Sequence, residues 1–262
     1  YGAVHGPFTP AERHMDTYPN AKIPIPADIY PPRPGKPAYM QKIEYWVKDA
    51  NGEPEMKGGA FGGKTVEVAK GIHGNRLHDW VRQYHQGVLA LDEALGKVIQ
   101  TLKETGQYDN TLIVFTSDQG FAWGQHGFKS KVAPYHATVG APLIIRPPLA
   151  KAKKAAGRVV KEPVSGVDLP PTFFSQAKLP VPWKMHGEDL SPLLENPKAQ
   201  RKSPAMLVHT GKIYGSATAN IPPTDDPKLY HGPGIPWYVM IAEGRFKYIR
   251  NLIEGEMEEL YN

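Results

Sequence analysis

Apolar residues recur at three- and four-residue steps along one stretch of this chain: Leu77, Trp80, Val81, Tyr84, Val88, Leu91, Leu95, Val98, Ile99 and Leu102. That is the helical period, so the stretch predicts one long amphipathic helix from about His78 to Glu104, roughly 40 Å in length. Gly106 stands where such a helix ends, because glycine takes the left-handed C′ conformation without steric cost. A helix with one apolar stripe must lie on an apolar layer. The following residues supply one. Past a turn at Asp109–Asn110, TLIVFT (111–116) is an apolar, β-branched run without polar alternation, which suits a strand covered on both faces. PLIIRPP, from Pro142, is a second such run. Helix, strand, loop, strand predicts an α/β fold, part of a mostly parallel sheet flanked by helices.

The flanking segments have a different character. Val4 to Asn75 is rich in Pro and Gly, most densely in PIPADIYPPRPGKP, and each Pro fixes φ and removes a donor. This predicts an extended path with turns, either functional or poorly ordered, with residues 19–75 as its Pro/Gly-rich body. GGAFGGK (Gly58 to Lys64) lacks the full Walker spacing and reads as a flexible turn. Downstream, Asp168 is placed to cap a short helix through DLPPTFFSQAKL, where Pro170 and Pro171 are tolerated in the first turn. After ENPKAQRKSP, the pair YVMIAEG and RFKYIRN, hinged at Gly244, predicts an antiparallel hairpin. The expected organisation is a main part over residues 1–200 and a small, truncated α+β subdomain over 201–262.

Composition excludes several classes. Hydrophobic residues make up 40% and charged residues 22%, the balance of a globular protein rather than a disordered one. No apolar run reaches the roughly 20 residues that span a bilayer. The formal charge is only +5, and the one basic cluster (Lys151, Lys153, Lys154, Arg158) reads as a solvated loop rather than a nucleic-acid footprint. Without cysteine there are no disulfides, thiolate ligands or cysteine nucleophiles here. The chain opens on Tyr1 with no leader pattern before it, so the expectation is a processed or truncated polypeptide whose location the sequence does not state.

Chemistry concentrates after TLIVFT, which runs into Ser117-Asp118-Gln119-Gly120. In open α/β sheets, ligands bind beyond the carboxyl ends of strands. Asp118 and Gln119 set a carboxylate beside an amide oxygen, donors that suit Ca²⁺ or Mg²⁺. Gly120 and Gly124 let the loop fold back tightly. His126, Lys129 and Lys131 follow, and a metal with an ammonium group nearby is a receptor for an oxyanion such as sulfate or phosphate. On spacing alone an Asp after a strand is more often a turn or cap residue, and loop lysines are usually solvated. Both readings stay open at that level.

The ordered series YHQGVLALDEALGKVIQTLKETG, YDNTLIVFTSDQG, GQHGFKSK, APLIIRPP, VSGVDLPPTFF, HGEDLSPLL and the final EELYN, with HGPFTP near the start, resembles the sulfatase family of the alkaline phosphatase superfamily. It covers most of the chain apart from the Pro/Gly-rich segment. The resemblance implies that residues 1–200 form the C-terminal part of a catalytic domain. It implies that Asp118 and Gln119 are two ligands of a divalent metal, usually calcium; Asn or His is also common at the Gln119 position. Lys131 matches the lysine that contacts the sulfate, whereas Lys129 stands where a non-basic residue is usual. His5 in HGPF matches the histidine of a His-x-Pro motif that binds the sulfate, and His126 resembles a pocket residue behind it.

The same resemblance implies what the chain does not contain. The family hydrolyses sulfate esters with a formylglycine made from Cys or Ser in a Cys/Ser-x-Pro-x-Arg motif, and no such motif occurs here. The expectation is therefore a partner: a missing N-terminal segment of the same protein, present as a cleaved companion or as further polypeptide, bringing the nucleophile and the remaining metal ligands. The expected substrate is a sulfated small molecule or sugar, with Tyr30, Tyr39, Tyr45, Trp46 and Trp123 as either stacking surfaces or packing residues. Neither nucleic acid nor a membrane span is expected, and export follows from the family alone. A phosphonate or phosphate monoester hydrolase and a non-catalytic relative are the alternatives.

Overall fold

Helix α1 spans Leu77–Glu104 and closes as the sequence predicts. Gly106 has φ +70°, its N–H bonds the Lys103 carbonyl at 3.1 Å, and the Gln107 N–H reaches Leu102 at 2.8 Å. That crossed pair satisfies carbonyls which the helix itself leaves open. A computed structural model describes residues 4–6, 8–58, 76–148, 157–232 and 234–262. GGAFGGK beyond Gly58, and Lys151, Lys153 and Lys154, lie outside them.

The strands, in chain order, begin with β1 (Trp46–Lys48), β2 (Pro54–Met56), β3 (Ile113–Thr116), β4 (Ala122–Trp123), β5 (Lys129–Ser130) and β6 (Leu143–Arg146). They continue with β7 (Ala205–His209), β8 (Tyr230–His231), β9 (Ile235–Pro236), β10 (Tyr238–Glu243), β11 (Phe246–Asn251) and β12 (Glu259–Tyr261). The shorter helices are α2 (His136–Val139), α3 (Leu169–Ala177) and α4 (Ser191–Glu195). No helix among the described residues is long and apolar enough to cross a membrane. The chain gathers into two units: Tyr1–Lys36, Met40–Tyr108 and Phe121–Lys131 in the first; Pro37–Tyr39, Asp109–Gly120 and Val132–Asn262 in the second.

In the first unit, Leu77, Trp80 and Val81 of α1 pack with Phe8, Ile29, Trp46 and Met56. The deeply buried residues of α1 all fall before Val88; Val88 and Val98 are exposed. Among the described residues, then, the helix's predicted apolar stripe is fully covered only at its amino end. The Pro/Gly-rich segment builds part of this core. The Arg33 side chain, only 1% exposed, organises it by donating to four main-chain carbonyls: Asp28 and Ile29 (2.8 Å each), Met40 (2.6 Å) and Ile43 (3.1 Å). Gln41 pairs with the Arg33 main chain in both directions, at 2.7 and 2.8 Å. These bonds satisfy peptide groups that no regular ladder reaches.

In the second unit, β3 and β6 pair antiparallel, Ile113 opposite Arg146 and Thr116 opposite Leu143. A parallel pairing was the expectation. The intervening chain carries one small hairpin and the four-residue α2 instead of a crossover helix, so the second strand returns antiparallel. Ile144 on β6 is 64% exposed, so the described residues do not cover both faces of this ladder. The predicted hairpin is present: β10 and β11 pair around Gly244 (φ +53°) in an antiparallel sheet of order β12-β11-β10-β7. Helix α3 has Pro170 and Pro171 in its first turn as expected. Asp168, however, does not cap it. Its carboxylate is 1% exposed and binds Arg201 at 2.5 and 3.0 Å and the main-chain N–H groups of Ser165 and Glu188 at 2.7 and 2.8 Å. Four donors, including a bidentate guanidinium, outcompete a helix terminus.

Candidate active-site residues

The loop leaving β3 presents Asp118, exposed, with Gln119 half-buried beside it. Gln119 Nε2 lies 3.5 Å from Asp118 Oδ2, and Ser117 Oγ lies 3.3 Å from Asp118 Oδ1. Carboxylate and amide therefore converge on one loop at the carboxyl end of a strand. Gly120 holds that loop against α2. A Cβ there would fall 2.5 Å from the Ala137 carbonyl oxygen and 2.8 Å from that of Gly140, so no side chain fits without main-chain movement. It is the amide nitrogen that faces the carboxylate here; with its amide oxygen turned to a hard cation, Gln119 would join Asp118 as a ligand, but only as part of a cage of six to eight oxygens. No group of three or more His, Asp or Glu side chains that could hold a metal occurs among the described residues.

The other predicted residues belong to the first unit. The turn Gly124–Phe128 between β4 and β5 is closed by Gly124 N–H to the Phe128 carbonyl at 2.9 Å. Within it His126 takes a left-handed conformation (φ +55°). Asp28 fixes that residue at both ends, receiving its main-chain N–H at 3.0 Å and meeting ring Nδ1 at 2.5 Å. Burial raises the Asp28 carboxyl, but the hydrogen bonds and charge of His126 outweigh it and hold the pKa below its ordinary value. Gly127 (φ +74°) abuts the Arg33 guanidinium, leaving no room for a Cβ. Trp46 Nε1 donates to the Phe128 carbonyl at 3.2 Å. The His126 turn is thus built on the Pro/Gly-rich segment.

Lys131 is half-exposed and, among the described residues, makes no hydrogen bond or ion pair. Ser130 and Val132 on either side both have positive φ, +68° and +92°. Lys129 is occupied instead: its ammonium lies 3.1 Å from Met56 Sδ and 5.2 Å from the Tyr45 ring centroid, and burial lowers its pKa. His5 is exposed, with Nδ1 3.2 Å from the Gly6 carbonyl. Of the possible stacking residues, Trp46 and Tyr39 are buried. Trp123 sits among Phe121, Phe8 and Tyr84 at centroid distances of 4.5, 5.3 and 5.6 Å. Those three serve packing. Tyr30 and Tyr45 are partly buried against the same core.

Asp28 and Arg33 were not legible as site residues. Asp28 lies 98 positions from the histidine it holds, and neither residue belongs to a period or motif.

The sequence profile of the sulfatase family matches residues 1–179. Among curated proteins, an N-acetylglucosamine-6-O-sulfatase of Bacteroides thetaiotaomicron is 32% identical over 240 residues, covering 78% of this chain and 42% of that protein. An extracellular sulfatase SULF-1 homolog of Drosophila melanogaster is 43% identical over 132 residues, 50% of this chain and 12% of its own length. The chain therefore spans well under two thirds of these relatives. A solved protein in complex with its substrate D-glucosamine-2-N,6-O-disulfate superposes with a TM-score of 0.69 at 22% identity, over 99% of this chain and 57% of the other. A phosphonate monoester hydrolase from Silicibacter pomeroyi gives 0.66 at 24%, over 99% and 48%. The fold is that of these proteins, alkaline-phosphatase-like α/β.

Proposed function

Because this chain belongs to the sulfatase family, we propose that it is one portion of an enzyme that hydrolyses sulfate esters of sugars or other small molecules. The observation that carries this is the family match across residues 1–179, which includes the Asp118–Gln119 loop at the carboxyl end of β3. In this reading Asp118 and Gln119 supply two oxygens to a divalent cation, Ca²⁺ or Mg²⁺, which supplies electrophilic stabilisation of the sulfuryl oxygens when bound. Lys131 offers its ammonium to the same oxygens, where charge develops in the transition state. His5 orients the ester, and His126, held by Asp28, shapes the pocket wall.

A companion segment of the same protein completes the enzyme. It carries the formylglycine that serves as nucleophile and the remaining metal ligands. Three observations support it: the short span relative to the curated sulfatases and, among the described residues, an oxygen set too small for Ca²⁺ and part-covered apolar surfaces at α1 and Ile144. Relatives that include extracellular sulfatases favour export. Phosphonate or phosphate ester hydrolysis is the second reading, favoured by the likeness to the phosphonate monoester hydrolase. The test is the ratio of kcat/KM for matched aryl sulfate, phosphate monoester and phosphonate monoester substrates on the full-length protein. The sulfate ester turning over fastest is the expected result. Faster phosphonate or phosphate turnover establishes the second reading, and no turnover of any ester overturns both.

A further inference from the structure

The positive φ at Val132, the residue after Lys131, needs a cause. For a β-branched residue such as Val132, φ +92° is an outlier, and conformations of this kind persist only where the surroundings over-determine them. The surroundings lie in the sheet after residue 200. The Tyr238 hydroxyl on β10 donates to the Val132 carbonyl at 2.5 Å. The Lys247 ammonium on β11 donates to the Pro134 carbonyl at 3.2 Å. The Tyr135 hydroxyl donates to Glu259 Oε1 on β12 at 2.8 Å. Between these anchors, Thr138 Oγ1 donates to the Ala133 carbonyl.

Every carbonyl from Val132 to Pro134 thus carries a side-chain donor, and three adjacent strands each provide a contact. The anchors are stiff. Tyr135, Tyr238 and Glu259 are buried, and burial pushes both tyrosine hydroxyls above their ordinary pKa, so they stay protonated donors. Lys247 also sits over the rings of Tyr135 and Tyr261, at 5.7 and 5.2 Å. All these contacts lie within the second unit, and the peptide bond between Lys131 and Val132 passes their constraint to the lysine.

We propose that the C-terminal sheet is a positioning device for Lys131, with Tyr238 and Lys247 as its positioning residues and Tyr135–Glu259 as its anchor. This rests on the reading of Lys131 as the cation that meets the sulfuryl oxygens. Misplacing a catalytic group by about 1 Å costs up to about a hundredfold in rate, whereas removing one hydroxyl from a sheet that only packs leaves kcat unchanged.

The test is Tyr238→Phe in the full-length protein, alone and combined with Lys131→Ala, read as kcat and KM for an aryl sulfate alongside thermal melting. The expected result is a fall in kcat of about tenfold or more with a smaller change in KM. In the Lys131→Ala background the same substitution adds nothing, because the group it positions is gone. Lys247→Met, which keeps the stem over the rings, is expected to behave alike and serves if Tyr238→Phe melts below the assay temperature. Wild-type kcat in both single variants, or an equal loss in both backgrounds, overturns the proposal. A Lys131→Ala variant with wild-type kcat overturns the reading of Lys131 on which it rests, and so separates the two failures.

Discussion

Replacing Arg33 with Met tests whether a segment without regular secondary structure is held by one buried cation. Met keeps most of the aliphatic stem and removes the guanidinium, which donates to the carbonyls of Asp28, Ile29, Met40 and Ile43. Each buried acceptor left without a donor costs about 1–3 kcal/mol. Against that, the substitution relieves the desolvation of a buried charge, itself several kcal/mol. Burial also holds the pKa of the guanidinium below its ordinary value. The balance is a loss of about 3–5 kcal/mol, a large fraction of the roughly 5–15 kcal/mol that holds a typical domain together. The damage is expected first between Asp28 and Ile43 and at the Gly124–Phe128 turn, since Gly127 packs on the guanidinium. Amide hydrogen exchange on the full-length protein should show those peptides losing protection while β10 and β11 keep theirs. Unchanged protection there, with a melting temperature within a degree of wild type, refutes the reasoning.

Three further outcomes follow from the structure. Gly120→Ala should abolish turnover or reduce it by at least about a hundredfold, because the new Cβ meets two carbonyl oxygens and the Asp118 loop must move; kcat at or near wild type contradicts that close approach. Asp168→Asn and Arg201→Met should each destabilise by about 3–5 kcal/mol, and the double variant by less than their sum. The Asp168 pKa is lowered because Arg201 and two main-chain N–H groups outweigh burial. Its stabilising effect is therefore present above the unfolded carboxyl pKa of about 3.9 and lost as pH falls below it, which acid denaturation of the Asn variant checks. His209 is depressed to about 4 by burial and by the charge of His231. Its stabilisation is present above the unfolded histidine pKa of about 6.5 and lost as pH falls from there toward 4. After screening of a half-buried ring this amounts to about 1–2 kcal/mol, and His209→Gln should flatten the stability–pH curve by that much.

What the sequence made legible was periodic or local. The apolar steps of α1, its Gly106 stop, the two β-branched runs and the hairpin at Gly244 each depend on residues close together in the chain. Strand direction was not local, and the antiparallel return of β6 onto β3 departs from the expected parallel order. Asp168 was misplaced as a helix cap because its partner Arg201 lies 33 residues on. The Pro/Gly-rich segment read as an extended path with turns, functional or poorly ordered, since its order comes from Arg33 side-chain bonds rather than from a ladder. For the candidate site, the resemblance to the sulfatase family pointed to Asp118, Gln119, Lys131, His5 and His126, but it was silent on Asp28, which fixes His126, and on the anchors beyond Lys131.

The most direct test of the central claim is the divalent-metal content of the full-length protein, measured by inductively coupled plasma mass spectrometry together with aryl sulfate turnover, for the wild type and Asp118→Ala. Wild type is expected to retain calcium or magnesium after gel filtration and to hydrolyse the ester, and Asp118→Ala to lose both while still folding. An Asp118→Ala protein with wild-type metal content and wild-type turnover contradicts that claim.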